Sequence, residues 1–134
     1  MSDERTHEGD VPGAASLLAS ARDALLREVV PSLDASSRYT ALMVANAMAI
    51  AARELTLGEA ALRREVELLR PLTMESVPPS DPGGADVREL RRIVAAAVRA
   101  GRYDDAPHAA SLLPALRQIA AGRLAISNPK ALRD

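Results

Sequence analysis

The sequence predicts an all-α fold, a single-domain bundle of five helices with the second at its centre, and three observations carry that prediction. Apolar residues recur at intervals of three and four in five separate segments, the spacing of one helix face. No segment of useful length shows the period of two that a half-buried strand requires. The only aromatic residues are Tyr39 and Tyr103, so the core must be built from Ala, Leu, Val, Ile and Met, of which Ala, Leu and Met favour helices strongly. At 134 residues the chain is long enough for one such core.

Residues 1–13 are charged, contain Gly and Pro and lack periodicity, which predicts a disordered tail ahead of a helical domain over 14–134. The first helix is expected from about Ala14 to Val30, where Leu18, Ala21, Leu25 and Val29 form a stripe and Pro31 ends or kinks the run. Ser36 or Ser37 then caps a second helix, RYTALMVANAMAIAAREL, which is apolar around most of its circumference and stops at Gly58. A helix of that kind is expected to be buried. The third helix covers roughly Glu59 to Leu69, with Leu62, Val66 and Leu69 inward and Arg63, Arg64, Glu65 and Glu67 outward. Pro71 closes it and opens a Pro- and Gly-rich loop over 71–85.

Asp86 followed by Glu89 reads as a capping box for the fourth helix, which presents Leu90, Ile93, Val94, Ala97 and Val98 to the core and stops at Gly101. The fifth helical region runs from about Pro107 to Ile126. Pro114 should either kink it or mark a short turn before a helix that starts near Leu113.

Composition narrows the class of protein. No apolar run reaches the roughly 18 residues of a membrane span, because Arg38 and Arg53 flank the longest one. The opening residues are polar and acidic and do not resemble a secretory signal. There is no cysteine, hence no disulfide framework and no thiolate zinc site. These features predict a cytoplasmic protein with no membrane partner. Charge is asymmetric: residues 1–85 carry 8 basic and 13 acidic side chains (−5), residues 86–134 carry 9 and 5 (+4), and the sum is the net −1. The C-terminal half is too weakly basic for a nucleic-acid binder, and no aromatic residue interleaves with its arginines.

Two groups of side chains stand out as candidate sites. Glu28, Arg38, Asn46 and Arg53 form a candidate polar cluster, either binding or structural. Asn46 lies in the middle of the apolar second helix, where a buried amide needs partners. It is either a contact to a ligand or second subunit, or a structural residue bonded to a neighbouring helix, and the structural role is favoured. Glu28 falls on the apolar stripe of the first helix and calls for an ion pair to Arg38 or Arg53. Arg88, Arg91, Arg92, Arg99 and Arg102 share the polar side of the fourth helix, a solvated face or an anion-contact face. His7 sits in the tail, and His108 after Asp104 and Asp105 is read as part of a helix start, with the acids as caps. No phosphate loop, nucleophile elbow or paired-His helix is present, and no cofactor or metal ligand set is expected.

The segments RYTALMVANAMAIAAREL with its following LG, LRRIVAAAVRAGRYD and RLAISNPKAL resemble a family of small bacterial proteins classed only as a domain of unknown function, over roughly 15–132. The resemblance implies genes often found near acyl-CoA dehydrogenases and aminoglycoside-phosphotransferase-like kinases. It brings no catalytic residues. The expected role is a non-enzymatic helical accessory protein with a protein partner such as an enzyme encoded nearby. The alternatives are a binder of an anionic ligand, acyl-CoA-like or phosphorylated, between the second helix and the Arg-rich fourth, and an enzyme using Glu28 or Glu54 as acid or base. Self-association is a further expectation, because five modest helices give an all-apolar helix little cover.

Overall fold

The computed structural model describes residues 12–74 and 86–133, and every regular element among them is helical. Most of the expected tail, and residues 75–85 of the expected loop, lie outside the described residues. Helix α1 spans Ala14–Ala24, α2 Ala35–Met74, α3 Val87–Arg99 and α4 Ala106–Ser127. The all-α class holds, but the described residues form four α-helices where five were expected. The second and third expected helices are one element of 40 residues, α2.

Gly58 fails to stop α2 for a local reason. A glycine ends a helix when it takes the left-handed conformation, and among the described residues only Gly101 has positive φ. Glu59, Ala60, Ala61 and Leu62 after Gly58 are strong helix formers, and the Glu59 carboxylate pairs with Arg63 one turn on. Gly58 is therefore carried as an interior residue. Pro71 also lies inside α2. Its turn is held from outside the backbone ladder: Leu69 and Leu72 are buried, and the fully buried Thr73 donates its hydroxyl to the Arg70 carbonyl at 2.8 Å. The Tyr103 hydroxyl donates to the Leu72 carbonyl at 3.2 Å, satisfying an acceptor that the helix end leaves open.

Other termini follow the sequence more closely. After α1, Leu25–Val29 widens into a π turn and Val30–Ser32 tightens into a 3-10 turn around Pro31. The cap of α2 is Asp34, not Ser36 or Ser37. Its carboxylate accepts from the Ser36 and Ser37 amides at 2.9 and 3.1 Å and from the Ser37 hydroxyl at 2.8 Å. The backbone bond from Ser37, then its hydroxyl, holds that carboxyl below its ordinary value. Asp86 caps α3 by accepting from the Arg88 amide, but Glu89 turns away from the box to pair with Arg92. Gly101, at φ 77°, ends α3 in a Schellman motif, with Arg102 N–H donating to Ala97 and Gly101 N–H to Val98. Asp105 caps α4, accepting from the His108 amide at 2.9 Å and lying 2.7 Å from the His108 ring. Helix α4 runs unbroken through Pro114, with Leu112 and Ala115 buried on either side of it.

The chain divides into two compact units, Met1–Leu55 and Thr56–Asp134. In the first, Leu25 lines one hollow with Ser37, Thr40, Ala41 and Val44, so the first half of α2 returns beside the end of α1. Ala41 and Ala45 are buried there, while Tyr39, Leu42, Met43 and Val44 are exposed. The expectation of a fully buried second helix is corrected among the described residues: one face is covered at Ala41 and Ala45, Met48 to Ile50 are half-buried, and Tyr39 and Leu42 to Val44 are exposed. An 18-residue window of α2 reaches a mean hydropathy of 1.2 with 11% of it buried, enough by length and composition to cross a membrane. The fourteen residues between Arg38 and Arg53 rise only about 21 Å, short of a hydrocarbon core of roughly 30 Å.

The second unit holds the larger core. Leu69 and Leu72 of α2, Leu90 and Val94 of α3, and Leu112 and Ala115 of α4 meet in one buried cluster, with Val66, Tyr103 and Ile119 against it. Helices α2 and α4 approach closely where a side chain on Gly122 would meet Ala61, and Arg64 reaches the Gln118 amide oxygen at 2.8 Å.

Candidate functional site

Beside that core, α2, α3 and α4 enclose a groove of about 600 Å³. Its walls are apolar, built from Leu69 of α2, Val94, Ala95 and Val98 of α3, and Leu116, Ile119 and Ala120 of α4. Its polar lining is Glu65, Arg91, Arg99 and Arg123. Three guanidiniums against one carboxylate leave the lining with a charge of +2.

Glu65 is the organising residue. It is only 6% exposed, and its carboxylate receives three charge-assisted bonds. Arg91 binds it as a fork, Nε to Oε1 and Nη2 to Oε2, both at 2.7 Å. Arg123 adds Nη2 to Oε1 at 2.9 Å. The Arg91 bonds, then the nearby charge of Arg123, hold the Glu65 carboxyl below its ordinary value against the opposing effect of burial. The Arg91 guanidinium is raised in turn by Glu65. The planar fork of arginine suits this task better than lysine would. An ionised carboxylate is an acceptor only, so this group orients two arginines along the groove and is not poised to exchange protons near neutrality. Arg99 has no carboxylate partner among the described residues and stands exposed at the groove.

The sequence-predicted residues are distributed unevenly about this site. Of the five arginines on the expected anion-contact face, Arg91 and Arg99 reach the groove. Arg92 is tied to Glu89, Arg88 is exposed away from the groove lining, and Arg102 is half-buried with an interaction of its own. The expected polar cluster is not assembled. Glu28 is exposed, and Arg38 directs its guanidinium to the Pro31 carbonyl at 3.5 Å. Arg53 is half-buried with an interaction of its own. Asn46, expected to be buried, is exposed, because the face that carries it lies opposite the buried Ala41 and Ala45. His108 and Asp105 meet as a helix cap, as expected.

Sequence reasoning placed Glu65 outward and passed over Arg123. The signal for Glu65 was present: Glu65, Leu69 and Leu72 follow the i, i+4, i+7 spacing of one face. Ending the helix at Pro71 removed Leu72 from that face and hid the pattern. Arg123 likewise stands four residues after Ile119 and three before Ile126, on an apolar stripe of α4.

Residues 31–131 match the model of a family described as a domain of unknown function (DUF6285), a span that includes the whole groove. No curated protein and no solved structure matches the chain.

Proposed function

The chain belongs to the DUF6285 family, whose description assigns no activity, and we propose from the groove that it is a non-enzymatic binding protein for an amphipathic anion. The observation that carries this reading is the pairing of an apolar groove of about 600 Å³ with a lining of charge +2. That volume falls in the range of small-molecule sites, roughly 300–1,000 Å³, where apolar walls supply affinity and a few charges fix orientation. The ligand class that fits is an apolar tail with a phosphorylated or carboxylated head, as in an acyl-CoA-like molecule. The tail lies along Val94, Val98, Leu116 and Ile119. The head meets Arg99, with Arg91 and Arg123 held in place by Glu65. The restrained, ionised Glu65 supports binding over acid–base chemistry, and neither Glu28 nor Glu54 lines the groove. A protein of this kind would serve as accessory to an acyl-CoA-metabolising or phosphotransferase-like enzyme.

Thermal unfolding of the full chain with acyl-CoA thioesters of increasing chain length tests the reading. The expected result is stabilisation that grows with chain length, about 2.7 kcal/mol when the ligand is at 100 times its Kd. Arg99→Glu should abolish the shift and leave the unliganded chain as stable as before. No shift with any anionic amphiphile would overturn the proposal.

A further inference from the structure

The charged side chains that line the groove do not sit together. Arg91 and Arg123 share the Glu65 carboxylate, which fixes all three at one end. Arg99 stands eight residues after Arg91 on α3, about two turns and ~12 Å further along the helix axis. Between the two arginines the α3 wall is Val94, Ala95 and Val98. Helices α3 and α4 are joined by the short turn 100–105 and run antiparallel, so the α4 wall returns from Leu116, at the Arg99 end, to Arg123.

Each end of the groove is positive. Two guanidiniums against one carboxylate leave +1 at the Glu65 end, and Arg99 contributes +1 at the other. Glu65 does not exhaust its arginines, because a guanidinium carries five N–H donors. It takes the Nε and one Nη2 bond of Arg91 and a single Nη2 bond of Arg123. Arg91 Nη1 and Arg123 Nε and Nη1 make no bond to it, and the two side chains are 43% and 58% exposed, open to a second anion.

We propose, resting on the reading of this groove as a binding site, that its ligand is an apolar chain with an anionic group at each end, an α,ω-dicarboxylate. One carboxylate lies between Arg91 and Arg123 and the other on Arg99, with the methylenes along Val94, Val98, Leu116 and Ile119. A chain with a single head would end in a methyl group beside a guanidinium, stripping water from the charge without replacing it. Extended backbone covers ~3.6 Å in three bonds, or about 1.2 Å per bond, so a span of ~12 Å calls for about ten bonds and a dicarboxylate of roughly eleven carbons. No aromatic side chain lines the groove, so a flat ring such as a nucleobase has no stacking partner there and a flexible chain fits better.

Isothermal titration of the full chain with undecanedioate and with undecanoate tests this, since the two acids differ only in the second carboxylate. The dicarboxylate should bind about tenfold more tightly, the scale of one added hydrogen bond to a charged group. Among dicarboxylates, affinity should reach a maximum near this length. Markedly shorter chains engage one end only, and longer ones must buckle. Arg123→Gln should bring the ratio of the two affinities toward one. Arg99→Gln, at an exposed position, should do the same and serves if Arg123→Gln does not fold. Equal affinities for the two acids, or an affinity that keeps rising with length, would overturn the two-ended ligand and leave the groove as a site for a single-headed amphiphile. So would an affinity ratio unchanged in both variants. Binding of neither acid would overturn it as well, and acyl-CoA thioesters then separate the two readings: a thermal shift with them spares the groove as a binding site, and no shift removes both.

Discussion

Replacing Glu65 with Gln keeps the shape of the side chain and removes its charge, so the substitution isolates what the two arginines gain from a carboxylate. With the Gln oxygen at the Oε1 position, Arg91 Nε and Arg123 Nη2 retain an acceptor, but the Gln amide nitrogen then faces Arg91 Nη2, donor against donor. Breaking a fully buried ion pair costs about 3–5 kcal/mol. Here the cost is lower, because the Arg91 and Arg123 side chains are 43% and 58% exposed and recover hydration when the carboxylate is lost. About 2 kcal/mol is expected at pH 7, the scale of a hydrogen bond to a charged group.

The pH dependence makes the prediction specific. The folded-state pKa of Glu65 lies below its ordinary 4.5, so its contribution to stability is fully present above the unfolded value. It is lost as pH falls through the folded value. Urea unfolding of the native chain and Glu65→Gln should therefore differ by about 2 kcal/mol at pH 7, and the difference should shrink as pH falls through the lowered folded-state value of Glu65, with equal m-values. A difference that persists unchanged at low pH would refute the electrostatic reasoning, as would equal stability at neutral pH.

Two glycines provide opposite expectations. Gly58→Ala should stabilise the chain by about 1 kcal/mol in urea unfolding, because Gly58 is an interior residue of a continuous α2; destabilisation would restore the break between two helices. Gly101→Ala should destabilise by about 1 kcal/mol or more, since φ is 77° and a Cβ would stand 2.8 Å from the Asp104 carboxylate; a neutral result would contradict the left-handed end of α3.

Local chemistry was legible wherever a terminus carries its own partners. Asp86, Asp105 and Gly101 each satisfy backbone groups a few residues away, so spacing alone places them. The arginines of α3 were legible as a polar face, but not which of them meets a carboxylate. Glu89 is close enough in sequence to capture Arg92, whereas Arg91 is claimed by Glu65 from another helix. The groove needs residues from three helices, and no spacing within one segment reveals that.

The amino-acid sequence by itself determined that this chain is helical, how α3 and α4 begin, and where α3 ends, because these follow from short-range periodicity and backbone hydrogen bonding. Tertiary structure decided that the two prolines do not break their helices. Gly58 and Pro71 read as stops and Pro114 as a kink or a short turn, and all three lie inside helices. For the two prolines, burial of Leu69, Leu72, Leu112 and Ala115 offsets the missing backbone bond. Tertiary structure also inverted the burial of two polar residues. Glu65, in a charged segment, is buried because two arginines from α3 and α4 converge on it. Asn46, in an apolar segment, is exposed because it lies on a different face of α2 from the buried Ala41 and Ala45. Burial depends on what lies across from a residue, and that is not encoded within its own segment.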